Sequence, residues 1–79
     1  MTNKAKMQAA FHEALALPPE VDVGELTYRG IPQWDSVAHM QLVAALETTF
    51  DLMLDTADVL AMSSFTKARE ILEKHGITW

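Results

Sequence analysis

All three prolines of the chain, and two of its three glycines, lie in one stretch, residues 17–33. Proline lacks a backbone N–H and blocks the interior of a helix, so no helix can run through this stretch. The residues on either side contain no proline, and their apolar side chains recur three and four positions apart, the spacing of one helix face. This distribution predicts an all-α fold in which one long loop follows the first helix.

The apolar spacing and the capping residues predict four helices. The first runs from about Asn3 to Ala16, and the second has Ser36 in its first turn and closes at Phe50. A third helix of only about two turns follows a cap at Asp55 or Thr56. The fourth begins at Ser63 or Ser64 and is followed by Gly76 in the C′ position, with a Glu70 to Lys74 pair on its outer side. In the first, third and fourth helices, the residues predicted to face the core are Met7, Ala10, Phe11, Ala14, Leu15, Val59, Met62, Phe65, Ala68, Ile71 and Leu72.

The second helix has the clearest two-sided pattern. On a helical wheel its core face contains His39, Leu42, Val43, Leu46 and Phe50. On the opposite side lies an apolar stripe that is predicted to be exposed, formed by Val37, Met40 and Ala44. An exposed apolar stripe indicates a contact surface, although small patches of this kind are also common on monomers. The remaining outward or flanking positions hold Ala38, Gln41, Thr48 and Thr49.

The loop is long for so small a chain, and it is expected to be held in place by apolar anchors. Those in the loop itself are Val21, Val23, Leu26, Tyr28 and Ile31, and the two tryptophans, Trp34 and Trp79, are expected to act as anchors or core residues. With 79 residues the chain is predicted to form one domain, residues 1–79, near the size at which a single core supplies little net stability. Such a bundle can deform.

Charge and composition exclude several classes of partner. The net charge is −5, and residues 20–58 hold eight acidic residues against one base, Arg29. Lysines and arginines are scattered singly, whereas nucleic acids and anionic membranes require clustered basic residues. No apolar run is long enough for a signal peptide or a membrane span. With no cysteine either, a cytoplasmic location is predicted by default, and the protein is expected to be a monomer. Because the chain has no cysteine, any thioester chemistry must use sulfur supplied by a cofactor.

Two arrangements of catalytic or metal-binding residue types were weighed. Asp35, Ser36 and His39 are the residue types of a hydrolytic triad, but Asp35 precedes the serine and cannot readily orient the far ring nitrogen of the histidine. The three histidines lie on three different predicted helices, without the paired spacing of metal ligands. The sequence therefore predicts neither a catalytic site nor a metal site.

Ser36 is the residue that most needs an explanation. A helix start offers unpaired N–H groups and the positive end of the helix dipole, so an anionic group attached to Ser36 would be favourably placed, although a serine or aspartate there is most often only a cap. The segment Ile31-Pro32-Gln33-Trp34-Asp35-Ser36-Val37-Ala38-His39-Met40, continuing through Leu46-Glu47 to Phe50, resembles the acyl carrier proteins. With the Ser64-Phe65 opening of the last helix, the resemblance covers essentially the whole chain.

The resemblance implies a small four-helix bundle of acyl-carrier type with a long first loop and a short third helix. In that family the serine after the aspartate carries 4′-phosphopantetheine, which a phosphopantetheinyl transferase takes from coenzyme A. Ser36 would be the attachment residue beside Asp35, and the protein would be a non-catalytic carrier that presents acyl thioesters to acyl-activating, acyltransferase or ketosynthase-type enzymes. The implied docking residues are Val37, Met40, Ala44, Glu47 and Asp58, and the residues implied to shelter the acyl chain are Leu46, Val59 and Met62.

His39 lies three residues after Ser36, one helical turn away. From this spacing we expect either that protonated His39 pairs with the phosphodiester or that the imidazole closes the edge of the core. The sequence departs from the carriers of fatty acid synthesis, which commonly line the second helix with acids, because only Glu47 is acidic within it. A specialised pathway such as polyketide, hybrid peptide or modified-sugar acylation is therefore favoured. A peptidyl or aminoacyl carrier, or an unmodified helical interaction module, are the alternatives.

Overall fold

The computed structural model describes residues 2–79. Within them the chain forms four α-helices, with one short 3-10 helix in the first loop and an isolated β-bridge between Thr27 and Ser64. The helices, named α1 to α4 in order, span Asn3–Ala14, Ser36–Phe50, Thr56–Ala61 and Phe65–Lys74, and the 3-10 helix spans Val23–Glu25. The all-α prediction is confirmed for this part of the chain.

Each α-helix begins with a side-chain cap, which satisfies a backbone N–H that has no partner within the helix. The capping oxygens belong to Thr2, Asp35, Asp55 and Ser64, and each accepts from the N–H three residues later at 2.8–3.1 Å. The cap at Asp35 places Ser36 in the first turn of α2, as predicted. The other two caps select Asp55 and Ser64 from the two alternatives predicted for each of the last two helices.

The helix ends use backbone conformations that stop the hydrogen-bond ladder. Helix α1 ends at Ala14, two residues before the predicted Ala16, because Ala16 itself takes a left-handed conformation with φ of 54°. Asp51, directly after α2, has φ of 50°. Gly76 follows α4 with φ of 95°, which glycine adopts without strain, so its predicted C′ role is confirmed.

One hydrophobic core joins all four helices. Its largest fully buried side chains are Trp34, Phe11, Met7, Leu15, Leu42, Leu46, Met62 and Leu72. The predicted core residues of α1 and α4 are confirmed, with Ala14 only partly buried. The predicted position of Ala38 is wrong, since the wheel placed it at an outward or flanking position and the structure buries it. Phe50 is partly buried against the core, as is Val59.

The long loop is fixed by backbone hydrogen bonds as well as by its apolar anchors. The N–H of Tyr28 donates to the carbonyl oxygen of Ser63 at 2.9 Å, and the N–H of Phe65 donates to that of Leu26 at 3.0 Å. These bonds join the loop to the segment between α3 and α4. Val23 is buried and Leu26, Tyr28 and Ile31 are partly buried against the core, which confirms their predicted role; Val21 is half-buried but does not join that cluster.

The predicted ion pair on α4 is wrong. The ammonium group of Lys74 binds Asp58 of α3 instead of Glu70, and Glu70 lies 3.8 Å from the ammonium nitrogen of Lys67. None of the helices in residues 2–79 is both long and apolar enough to cross a membrane.

Candidate functional site

Ser36 is the first residue of α2, and its side chain is exposed. The capping role at this end belongs to its neighbour, because Oδ1 of Asp35 accepts from the N–H of Ala38 at 2.9 Å and the backbone oxygen of Asp35 accepts from the N–H of His39 at 2.8 Å. The hydroxyl of Ser36 is therefore not needed to cap the helix, and it stands at the positive end of a helix of 15 residues.

The ring of His39 is held by two hydrogen bonds inside the protein. Its Nδ1 accepts from the indole N–H of Trp34 at 3.0 Å, and its Nε2 lies 2.9 Å from the carbonyl oxygen of Val59. The indole N–H can only donate and a carbonyl can only accept, so this network requires the tautomer with hydrogen on Nε2.

This arrangement corrects the expectation that protonated His39 pairs with a phosphodiester on Ser36. Both ring nitrogens are engaged elsewhere, and a proton added at Nδ1 would displace the indole donor of Trp34. The stated alternative, a histidine at the core edge, agrees with its half-buried ring and its stacking on Trp34 at 6.1 Å between centroids. The same bonds leave the ring unsuited to take a proton from Ser36 as a triad would require.

Ser36 lies on the rim of a small groove between α2, α3 and the loop. The groove has a volume of about 260 Å³, and its wall is mostly apolar; it is lined by Tyr28, Ser36, His39, Met40, Val59, Leu60, Met62 and Ser63. Two of the three residues predicted to shelter an acyl chain, Val59 and Met62, are in this wall. The third, Leu46, is fully buried in the core and does not line the groove, because α2 turns it toward the bundle interior.

The predicted apolar stripe on α2 is exposed. Val37 is 68% exposed and Met40 57%, and Ala44 is also exposed. The structure adds Leu60 of α3, 79% exposed, which lines the same groove as Met40 and which the sequence reasoning missed. The sequence did indicate this exposure, because Leu60 directly follows Val59 on a two-turn helix, and Val59 was predicted to face inward. Together Val37, Met40 and Leu60 form what we call the α2–α3 apolar surface.

The two acidic residues predicted to dock partners have internal partners instead. Oε2 of Glu47 accepts from the N–H of Leu54 at 2.9 Å, so the half-buried carboxylate holds the loop after α2. The expectation that Asp58 docks partners disagrees more clearly with the structure, because the Asp58 side chain is only 3% exposed. It binds the ammonium group of Lys74, and its Oδ2 lies 2.8 Å from Nε2 of His75. Hydrogen bonds first from Lys74 and then from His75 lower the pKa of Asp58 to about 2.

Tyr28 and Arg29 complete the surroundings of Ser36, and neither was predicted as a site residue. Arg29 has φ of 62° and donates its backbone N–H to the oxygen of Trp34 at 3.0 Å, and its guanidinium carbon lies 5.4 Å from the centre of the Tyr28 ring. Hydrogen bonds from Arg29 and then from Ser36 lower the pKa of the Tyr28 phenol. The sequence signal was that Arg29 is the one base in residues 20–58.

Comparisons of the chain with protein-family models, with curated proteins and with solved structures gave no match.

Proposed function

We propose that this protein is an acyl carrier in which Ser36 bears 4′-phosphopantetheine and the thiol of that group carries acyl intermediates as thioesters. The observation that supports this most directly is the position of Ser36. It is an exposed hydroxyl at the start of a long helix that Asp35 already caps, on the rim of an apolar groove. A serine with no capping duty is accessible to a transferase, and the developing phosphodiester would meet the positive end of α2.

The carrier itself performs no chemistry in this proposal. It binds each partner enzyme weakly and exchanges between them, while the tether keeps the acyl group at a high effective concentration at each active site. The α2–α3 apolar surface is the docking face, because it adjoins the attachment point and its three side chains are mostly exposed. With Glu47 and Asp58 bound internally, apolar contact contributes more to docking than charge steering does. A specialised acyl pathway fits this surface better than one that recognises an acidic helix.

The attachment is tested by incubating the purified protein with coenzyme A and a broad-specificity phosphopantetheinyl transferase and then measuring its intact mass. We expect the wild type to gain one phosphopantetheine group and Ser36→Ala to gain none. Ser63→Ala is the matched control, because Ser63 is also exposed and lines the same groove. It should be modified like the wild type.

Ser36→Ala should remain folded, since Asp35 supplies the cap and the expected cost is below about 1 kcal/mol. Thermal unfolding followed by circular dichroism checks this. A folded wild type that gains no mass would contradict the proposal. It would favour an unmodified interaction module that binds a partner through the exposed α2–α3 apolar surface.

The docking face gives a second test with the same transferase. Met40→Gln should lower kcat/KM for modification about fivefold to tenfold, the range for truncating an interface residue that contributes to binding. Met53→Gln is the control, because Met53 is 84% exposed but lies outside the groove beside Ser36. Equal rates for the two variants would show that Met40 does not contact the transferase.

A further inference from the structure

We propose that Arg29 and Tyr28 form a binding site for the phosphodiester attached to Ser36, which fixes the base of the prosthetic arm beside the groove. This inference rests on the proposed function, since the ligand is the phosphodiester of the arm itself. It concerns two residues that the resemblance to acyl carriers did not identify.

A turn in the long loop places the Arg29 guanidinium over the ring of Tyr28. Residues 27–30 form a turn in which the N–H of Gly30 donates to the oxygen of Thr27 at 2.9 Å. A Cβ on Gly30 would lie 2.3 Å from Oγ1 and 3.1 Å from the backbone oxygen of Thr27, so a larger residue there would displace Thr27. The turn presents Arg29 over the Tyr28 ring, and Tyr28 shares the wall of the groove with Ser36. On its other side Arg29 lines a shallow depression together with Asp35.

The phosphodiester would lie in the most acidic part of the chain. Modification adds a negative charge directly after Asp35. Residues 20–58 already contain eight acidic residues, and Arg29 is the one base among them. Like charges at this spacing repel, so the modified serine needs a cation close by. The other cations lie on α1 and α4 or just after them. Three of those on α4 already have partners, since Lys74 binds Asp58, Lys67 lies 3.8 Å from Glu70 and the guanidinium of Arg69 stacks over Trp79.

A guanidinium and a phenol are both suitable hydrogen-bond donors for a phosphodiester. A guanidinium is planar, stays charged at all relevant pH values and can donate two parallel hydrogen bonds to phosphate oxygens. The Tyr28 hydroxyl adds a third donor. The Arg29 guanidinium lies over the Tyr28 ring, with 5.4 Å from its carbon to the ring centre, and Arg29 first and Ser36 second lower the pKa of the Tyr28 phenol. His39 cannot take this role, because both of its nitrogens are bound to Trp34 and Val59.

The site can be tested by NMR on 15N-labelled protein before and after modification. The chain contains two arginines, so Arg69 on Trp79 serves as an internal control. We expect the Arg29 Nε–H signal to shift on modification and its exchange with water to slow about twofold to fivefold, the effect of a partly exposed ion pair. The Arg69 signal should not change.

Variants then separate charge from simple proximity. In the modified protein, Arg29→Gln should shift and sharpen the 31P signal of the phosphodiester, because the group gains mobility. Arg29→Lys should restore part of the wild-type signal, Tyr28→Phe should give an intermediate change, and Arg69→Gln should give none. A normal mass gain with an Arg29 signal identical before and after modification would overturn the binding site alone. Failure of the wild type to gain mass would overturn both this site and the proposed function.

Discussion

Replacing Trp34 by alanine should remove most of the stability of this domain. Trp34 is fully buried, packs edge-on against Phe11 with 5.5 Å between ring centroids, and donates its indole N–H to His39. Removing so large a core side chain typically costs about 3–5 kcal/mol. In a domain of about this length a single hydrophobic core rarely supplies more than about 3–5 kcal/mol of net stability. The variant should therefore be largely unfolded at 37 °C or lose most of its cooperative transition.

Urea unfolding followed by far-UV circular dichroism measures this loss. Trp79→Ala is the matched control, because Trp79 is partly exposed and contacts only the edge of the bundle, against Phe50 and Arg69. It should lose less than about 1.5 kcal/mol. Trp34→Phe should fall between the two, since it keeps an aromatic ring but leaves Nδ1 of His39 without its donor. Similar losses for Trp34→Ala and Trp79→Ala would show that Trp34 does not organise the core.

The elements that could be predicted from the sequence are those set by interactions over a few residues. Caps at Asp35, Asp55 and Ser64 act within one turn, and the apolar spacing of α2 fixes which side faces inward. The exposure of Val37 and Met40 follows from the same wheel. The prolines correctly limited α1, although its last residue depended on the left-handed conformation of Ala16, which no residue pattern indicated.

The predictions that failed depend on contacts between distant parts of the chain. Ala38 is buried although the wheel of α2 alone places it at an outward or flanking position. From the sequence, Asp58 is predicted only to be a favourable charge in the first turn of a helix. Its partners in the structure, Lys74 and His75, lie 16 and 17 residues later. His39 likewise bonds to Val59, 20 residues away. A helix of two turns does not define its faces well enough to indicate such partners.

These long-range bonds all hold α3 against the neighbouring helices. His39 binds the backbone of α3 at Val59, and the side chain of Asp58 binds the end of α4. A helix of six residues is not stable through its own propensity, so its position depends on such contacts. Because Val59, Leu60 and Met62 form much of the groove wall beside Ser36, widening that groove requires these polar contacts to break or to move with α3.

Asp58→Asn should lower the melting temperature by roughly 5–10 °C at neutral pH, since it removes a buried charge that pairs with Lys74 and His75. The difference should depend on pH. The pKa of Asp58 falls from an ordinary 3.8 to about 2 in the folded protein, so its contribution is fully present above about pH 4 and is lost as the pH falls through about 2. Lys74 stays charged throughout this range, since its pKa is well above neutral pH and is raised further by the hydrogen bond to Asp58.

Melting temperatures of the wild type and of Asp58→Asn, measured from pH 7 to pH 2, should therefore differ most above pH 4 and converge toward pH 2. Asp51→Asn is the matched control, because Asp51 is exposed and its φ of 50° suits asparagine equally well. Its melting temperature should stay within about 2 °C of the wild type at neutral pH. A difference for Asp58→Asn that stays constant down to pH 2 would mean that the side chain acts through its shape, and not through the charge that binds α3 to the end of α4.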